Sequence, residues 1–167
     1  MVGEWLDPLL ERAPDDLRRL HPEDLHITVA FLGACGEDRA RGAFARLDET
    51  LDVEVMLERI HGFGGRRRPS AYSLVLGENN EVVVDYLRRW RDRLLLAANA
   101  RPDPYEPYPH VTIGRPPRRA PPEIAQALRD WALSTPPLNR RVRLDAVALY
   151  TWAEDRRLRQ FQVVDRV

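Results

Sequence analysis

The stretch HITVAFLG, residues 26–33, recurs in altered form about half the chain later as HVTIGR, residues 110–115. Both copies read His-x-Thr-x, with β-branched or aliphatic residues at the x positions. In a β-strand, side chains alternate between the two faces, so the histidine and threonine of each copy share one face and the aliphatic residues share the other. We therefore predict two motif strands, 25–32 and 110–115, each with a chemical face and a buried face.

The rest of the chain predicts helices and strands that alternate without the regular spacing of a Rossmann sheet and without a Walker loop. Helical spacing of apolar residues and a first-turn proline predict helices at 4–20 (in two pieces), 37–50, 81–99 and 122–133. Alternation predicts strands at 52–60, 71–76, 138–150 and 158–164, and composition predicts loops at 62–69 and 116–122. The expected fold class is α+β, with two small sheets, helices outside, and the motif strands facing each other.

Composition limits the classes of function. The 167 residues carry 26 basic and 26 acidic side chains, so no global positive field attracts nucleic acid and any such attraction must come from a local patch. Every basic residue is arginine, which is typical of a GC-rich genome. The single cysteine, Cys35, cannot form an internal disulfide, and no spanning apolar run or signal peptide is evident, so we expect a cytoplasmic protein.

The histidines are the candidate chemical groups. His21 and His61 lack partners in the sequence, and we expect both to be surface or structural residues. Two histidines are too few for a zinc site, and neither an H-E-x-x-H helix nor paired cysteines are present, so we expect no metal and no other cofactor.

Acid–base chemistry suits the paired motifs better. Of two imidazoles that titrate near neutrality, a neutral one can accept a proton while a charged one donates. The hydroxyls of Thr28 and Thr112 can donate to phosphate oxygens, and Arg115 adds a charged fork. This set of groups is suited to displacement at phosphorus without a metal.

The paired motifs resemble those of the 2H phosphoesterase superfamily. Residues 25–33 and 108–115 are similar to the first and second motifs of the bacterial and archaeal RNA 2′,3′-cyclic phosphodiesterases, also called 2′-5′ RNA ligases. The flanking segments 22–24, 62–64 and 147–150 agree, and the resemblance covers about residues 17–165.

The resemblance implies a single bilobal domain over residues 1–167, with two antiparallel sheets, outer helices and pseudo-twofold symmetry around a central cleft. It implies metal-free hydrolysis of a terminal 2′,3′-cyclic phosphate to a 2′-phosphate, and possible ATP-independent 2′-5′ ligation by the reverse chemistry. His26 would be the proton donor and His110 the proton acceptor. The other site residues would be Thr28 and Thr112 for the phosphate oxygens, and Phe31 and Arg115 for the nucleotide.

The expected partners are RNA ends or nucleotide 2′,3′-cyclic phosphates, with no membrane, no metal and a monomeric protein. Two alternatives stay open: a 2H phosphodiesterase for a small cyclic nucleotide or 2′-5′ oligonucleotide, and a non-catalytic RNA- or nucleotide-binding module. Because the motif pair is nearly symmetric, only the resemblance distinguishes the acid from the base.

The chain departs from the family pattern at three places. The family begins with a hydrophobic strand, whereas residues 1–5 already resemble a helix, so that strand is either lost or lies upstream of this start. Trp152 stands where a small polar residue is common. Arg66, Arg67 and Arg68 have no fixed counterpart; we expect a solvated loop, with a phosphate-backbone contact as the alternative.

Overall fold

The computed structural model describes residues 3–167, in which helices and strands alternate irregularly. The α-helices are α1 Gly3–Glu11, α2 Glu37–Phe44, α3 Asn80–Ala97 and α4 Pro122–Ser134. The strands are β1 Arg18–Arg19, β2 Val53–Gly64, β3 Pro69–Leu76, β4 His110–Arg115, β5 Arg140–Leu144, β6 Ala148–Trp152 and β7 Phe161–Arg166. A short 3₁₀ turn, Pro22–Asp24, lies between β1 and the first motif.

Two antiparallel sheets organise the fold, as the α+β prediction requires. One has five strands in the order β1-β4-β3-β2-β5, and the other has the two strands β6 and β7. The second motif strand, β4, lies inside the larger sheet, where Val111 pairs with Leu74 of β3. The prediction of two antiparallel sheets with a motif strand at 110–115 is therefore confirmed.

The larger sheet buries one face against α1 and α4. Leu74 and Ile113 are fully buried on that face, together with Leu6 of α1 and Leu128 of α4. Gly114 is required at this packing point, because a Cβ there would lie 2.8 Å from the Cγ of Leu17. The opposite face of β4 is thereby left for His110 and Thr112.

A second hydrophobic cluster connects α2, α3 and the smaller sheet. Its buried members are Phe44, Leu47, Tyr86, Trp90, Leu94 and Leu149. Val29, Ala30 and Leu32, from the end of the first motif, pack against it. The first motif therefore joins the two parts of the core.

The prediction that residues 25–32 form a strand is wrong. Only Ile27 pairs with β4, through an isolated antiparallel bridge to Val111. The physical reason is that β1 already pairs with the far end of β4, where Arg18 lies opposite Arg115, and the 3₁₀ turn then carries the chain away from the sheet edge. Beyond the bridge, the chain follows its apolar contacts with the second cluster and makes no ladder.

Other boundaries also differ from the predictions. The second helical piece before residue 20 is absent, since Arg18–Arg19 forms β1. The predicted strand 138–150 is divided between β5, which pairs with β2, and β6, which pairs with β7. Periodicity reports which face a residue occupies and not which strand it pairs with, so it does not reveal this change of sheet.

The hairpin of β2 and β3 is longer than predicted. Most of the expected loop 62–69 belongs to the two strands, and only the turn at 65–68 remains. Arg66, Arg67 and Arg68 are exposed there, and the Arg67 carbonyl accepts a hydrogen bond from Arg129 of α4. The predicted helices at 81–99 and 122–133 are confirmed as α3 and α4, while α2 ends earlier than predicted, at Phe44.

Met1 and Val2 lie outside the described residues, so the expectation about a strand before the first helix is not addressed. Within residues 3–167, no helix combines the length and the apolar character needed to cross a membrane.

Candidate active site

The bridge between Ile27 and Val111 brings the two His-x-Thr motifs side by side. Because neighbouring residues in extended chain point to opposite faces, the motif histidines and threonines lie on the face away from the α1–α4 core. We call this the cleft face; it carries His26, Thr28, His110 and Thr112. In antiparallel register, each histidine comes opposite the threonine of the other motif.

Both motif imidazoles are held in the same way. The Nδ1 of His26 lies 2.7 Å from the carbonyl oxygen of Asp24, and the Nδ1 of His110 lies 2.6 Å from that of Tyr108. A carbonyl oxygen can only accept, so Nδ1 carries the proton in both rings. The Nε2 atoms are therefore the ones left to accept or donate a proton in the cleft.

The two histidines have different environments. Burial lowers the pKa of His110 from its ordinary value of 6.5, and the positive charges of His26, Arg115 and His61 lower it further. The hydrogen bond to the Tyr108 carbonyl acts in the opposite direction on this pKa and is outweighed. His110 is therefore neutral at pH 7, which is the state in which Nε2 accepts a proton.

Aromatic rings from outside the motifs pack against each imidazole. His26 stacks with Tyr150 of β6 at 5.4 Å and meets Phe161 of β7 edge-on at 5.2 Å. His110 stacks with Phe63 of β2 at a centroid distance of 4.2 Å. The smaller sheet thus positions the first histidine, and the larger sheet positions the second.

Asp24 supports the first motif and was not predicted. The residue is 1% exposed, and its carboxylate oxygens accept hydrogen bonds from the backbone N–H groups of Gln160, at 2.7 Å, and Phe161, at 3.2 Å. Its own carbonyl accepts the His26 hydrogen bond. One residue therefore connects the start of β7 to the orientation of His26. The partners lie more than 130 positions away in the chain, so no local pattern signals this contact.

Ser73 is a second site residue that was not predicted. It is fully buried on β3, and its Oγ lies 3.1 Å from Oγ1 of Thr112. When Ser73 donates this hydrogen bond, the Thr112 proton stays available for a ligand in the cleft.

His61 was expected to be a surface or structural residue. It is exposed, but it pairs with Ser73 across the β2–β3 ladder and therefore lies on the cleft face. Its ring contacts Phe63 at 4.9 Å and Tyr108 at 6.4 Å. The strand alternation could have placed it there had β2 been extended beyond residue 60.

The remaining predicted site residues differ in their exposure and in their contacts with the histidines. Arg115, at the end of β4, is exposed and close enough for its charge to act on His110. Thr28 is exposed and Thr112 is half-buried. Phe31 is 73% exposed, and the structure shows no ring stacking between it and the described aromatic residues. Among residues 3–167, no three His, Cys, Asp or Glu side chains form a cluster suited to a metal ion.

Comparison with known proteins identifies the family. The family pattern described as the 2′-5′ RNA ligase superfamily matches residues 3–156. The RNA 2′,3′-cyclic phosphodiesterase of Bacillus subtilis (strain 168) is 31% identical over 100 residues, which is 58% of this chain and 54% of that protein. The matched region thus spans about half the length of this curated relative.

Solved structures agree at the level of the fold. E. coli LigT in complex with 3′-AMP superposes with a TM-score of 0.70 at 17% identity, covering 99% of this chain and 91% of that chain. The protein TT0787 of Thermus thermophilus gives a TM-score of 0.69 at 18% identity, covering 99% and 92%. The chain belongs to the 2′-5′ RNA ligase superfamily, the 2H phosphoesterases that its two motifs resemble.

Proposed function

We propose that this protein is a metal-independent RNA 2′,3′-cyclic phosphodiesterase that converts a terminal 2′,3′-cyclic phosphate into a 2′-phosphate. The observation that carries the proposal is the Ile27–Val111 bridge, which puts two identically held imidazoles and two threonine hydroxyls on one face. The Bacillus subtilis relative, a named RNA 2′,3′-cyclic phosphodiesterase, supports the same class of substrate.

In the proposed reaction, Nε2 of His110 takes a proton from water as the water oxygen attacks phosphorus. The bond from phosphorus to the 3′-oxygen breaks, and Nε2–H of His26 protonates that oxygen. The lowered pKa of His110 supports its role as the base. After one turnover His110 is charged and His26 neutral, and proton exchange with water restores both.

The threonines and Arg115 act on the phosphate in this proposal. Thr28 and Thr112 donate to the non-bridging oxygens, and the Ser73 hydroxyl orients that of Thr112. Arg115 stabilises the negative charge, which grows as the attacking oxygen bonds to phosphorus. Phe31, exposed near the end of the first motif, contacts the nucleoside.

Ligation follows from the same site by replacing water with a 5′-hydroxyl. His110 then deprotonates the hydroxyl, and the 3′-oxygen leaves as before, which produces a 2′-5′ linkage without ATP. We propose this as a secondary activity of a monomeric, cytoplasmic enzyme.

The first test uses an RNA that ends in a 2′,3′-cyclic phosphate, incubated with the protein in EDTA. The expected product is a 2′-phosphate end, identified by its separation from a 3′-phosphate standard and its resistance to a 3′-specific phosphatase. A 3′-phosphate, loss of activity in EDTA, or binding without turnover would each contradict the proposal.

The second test concerns pH. We expect the midpoint of the acid limb in the pH profile of kcat/KM to lie below pH 6.5. The reason is that the base must be neutral and the pKa of His110 is lowered from 6.5. In the His61→Ala variant one positive charge is lost near His110, so its pKa rises and the acid limb moves to higher pH. His21→Ala, which removes a histidine that this pKa does not depend on, should leave the limb in place. An acid limb that is unchanged in His61→Ala would exclude this electrostatic coupling.

A further inference from the structure

Trp152 is an exposed aromatic residue that is connected to His26, on the cleft face, through one intervening ring. Its side chain, at the end of β6, is 49% exposed. The indole stacks on Phe161 with centroids 5.2 Å apart and an interplanar angle of 21°. Phe161 in turn contacts the His26 ring, also at 5.2 Å. Two ring-to-ring steps therefore lead from the proposed acid to the protein surface.

Arg156 adds a charge to the outer end of this series of rings. Its guanidinium carbon lies 4.2 Å from the centroid of the Trp152 ring. The neighbouring arginines of the β6–β7 loop have carboxylate partners, since Arg157 pairs with Asp155 and Arg159 with Glu23. Arg156 uses its guanidinium on an aromatic face instead. Aromatic rings stack on indoles and on guanidinium groups alike. A third flat group can therefore bind here by stacking on the Arg156 guanidinium or by displacing it from the indole.

The direction of the substrate identifies that third group. A cyclic phosphate is at the 3′ end of its RNA, so the chain leaves the site in the 5′ direction. The first base beyond the terminal nucleoside lies one nucleotide step from the phosphate, and two ring contacts of 5.2 Å each, through Phe161, connect His26 to the exposed ring of Trp152. Aromatic side chains bind bases of single strands by stacking, which accepts any base.

We propose that Trp152 and Arg156 form a stacking subsite for the base of the nucleotide immediately 5′ of the cyclic phosphate. This inference rests on the proposed function and extends it: the preferred substrate is an oligonucleotide end and not a mononucleotide. The base stacks on the indole, and the guanidinium covers the base or moves to the phosphate that joins the two nucleotides. Base–indole stacking is stronger than an exposed cation–π contact, so the exchange is favourable.

The test compares cytidine 2′,3′-cyclic phosphate with a dinucleotide that ends in the same group. Trp152→Ala is expected to raise KM for the dinucleotide on the order of tenfold, while kcat and the KM for the mononucleotide stay within about twofold. Trp152→Phe should restore most of the dinucleotide KM. Tyr105→Ala removes another ring, 77% exposed, outside this series and should change neither substrate. Unchanged mononucleotide kinetics also show that the variant is folded.

Each other outcome is decisive. Equal KM values for the two substrates in the wild type, or an unchanged dinucleotide KM in Trp152→Ala, would overturn the subsite while leaving the proposed function intact. If neither substrate is hydrolysed, the proposed function fails, and the subsite is then tested by quenching of tryptophan fluorescence with a 2′-phosphorylated dinucleotide. Quenching that persists in Trp152→Ala, or no binding, would exclude it. Trp152-dependent binding to phosphatidylglycerol vesicles, without an effect on nucleotides, would assign Trp152 to a lipid surface and also overturn the proposal.

Discussion

Replacing either His26 or His110 by alanine is expected to lower kcat for cyclic phosphate hydrolysis by on the order of 10²–10⁴-fold. In the proposed reaction each Nε2 makes or breaks a bond to a proton in the same displacement, so the loss of either group leaves the other without its counterpart. The double variant should therefore be little slower than the slower single variant. Single-turnover rates with saturating enzyme measure the chemical step directly.

His21→Asn is the matched control for this pair. His21 is exposed, and its Nδ1 accepts the backbone N–H of Glu23 at the start of the 3₁₀ turn. Asparagine can retain that acceptor, so the turn is preserved while an imidazole is removed. Near-native rates in both His26→Ala and His110→Ala would refute the assigned roles. A loss in His21→Asn of the same size would indicate a general effect of altered histidines on folding.

The two single variants should also differ in pH dependence. The pH profile of the residual rate should lack its acid limb in His110→Ala, because the base whose protonation causes that limb is gone. In His26→Ala the acid limb should persist. Because the charge of His26 lowers the pKa of His110, removing it should also move the limb to higher pH. An acid limb that survives in His110→Ala and disappears in His26→Ala would reverse the assignment of acid and base.

Replacing Asp24 by alanine is expected to lower the free energy of unfolding by about 1–3 kcal/mol, because two partly buried backbone N–H groups lose their acceptor. These are the N–H groups of Gln160 and Phe161, at the start of β7. Phe161 packs edge-on against His26, so activity should fall as well, even in the folded protein. Urea unfolding followed by circular dichroism gives the stability, and kcat/KM at low temperature gives the effect on the site.

Glu23→Ala is the control for Asp24. Glu23 is adjacent and also acidic, but it is exposed and pairs with Arg159 at the surface. Surface ion pairs contribute little, so this variant should stay within about 0.5 kcal/mol of the wild type. Asp24→Asn keeps one acceptor oxygen and should fall between the two. Equal stability of Asp24→Ala and Glu23→Ala would show that the buried carboxylate does not hold β7.

The helices α3 and α4 follow local periodicity closely. In each, the spacing of apolar residues over one segment matches the face that the segment buries, as with Val83, Leu87 and Leu94 of α3. The strand β4 was predictable for the same reason, because Val111 and Ile113 alternate with His110 and Thr112. Local patterns succeed here because each element buries one continuous face.

The first motif shows the limit of that reasoning. Residues 26–33 have the same alternation as β4, yet only Ile27 pairs with it. Whether an alternating segment becomes a strand depends on a free edge for it to pair with. The far end of that edge is occupied by Arg18 and Arg19, for which the spacing of apolar residues predicts a helix.

The sequence by itself supplies the groups that the proposed chemistry uses: two imidazoles, two hydroxyls and one guanidinium, in two motifs backed by aliphatic residues. It also determines the family, because those motifs are short and local. The tertiary structure alone decides that Asp24 holds the start of β7, that Ser73 contacts Thr112 and that rings from two sheets pack against the two histidines. These contacts join residues far apart in the chain, and their energy comes from burial and hydrogen bonds that exist only once the sheets have formed.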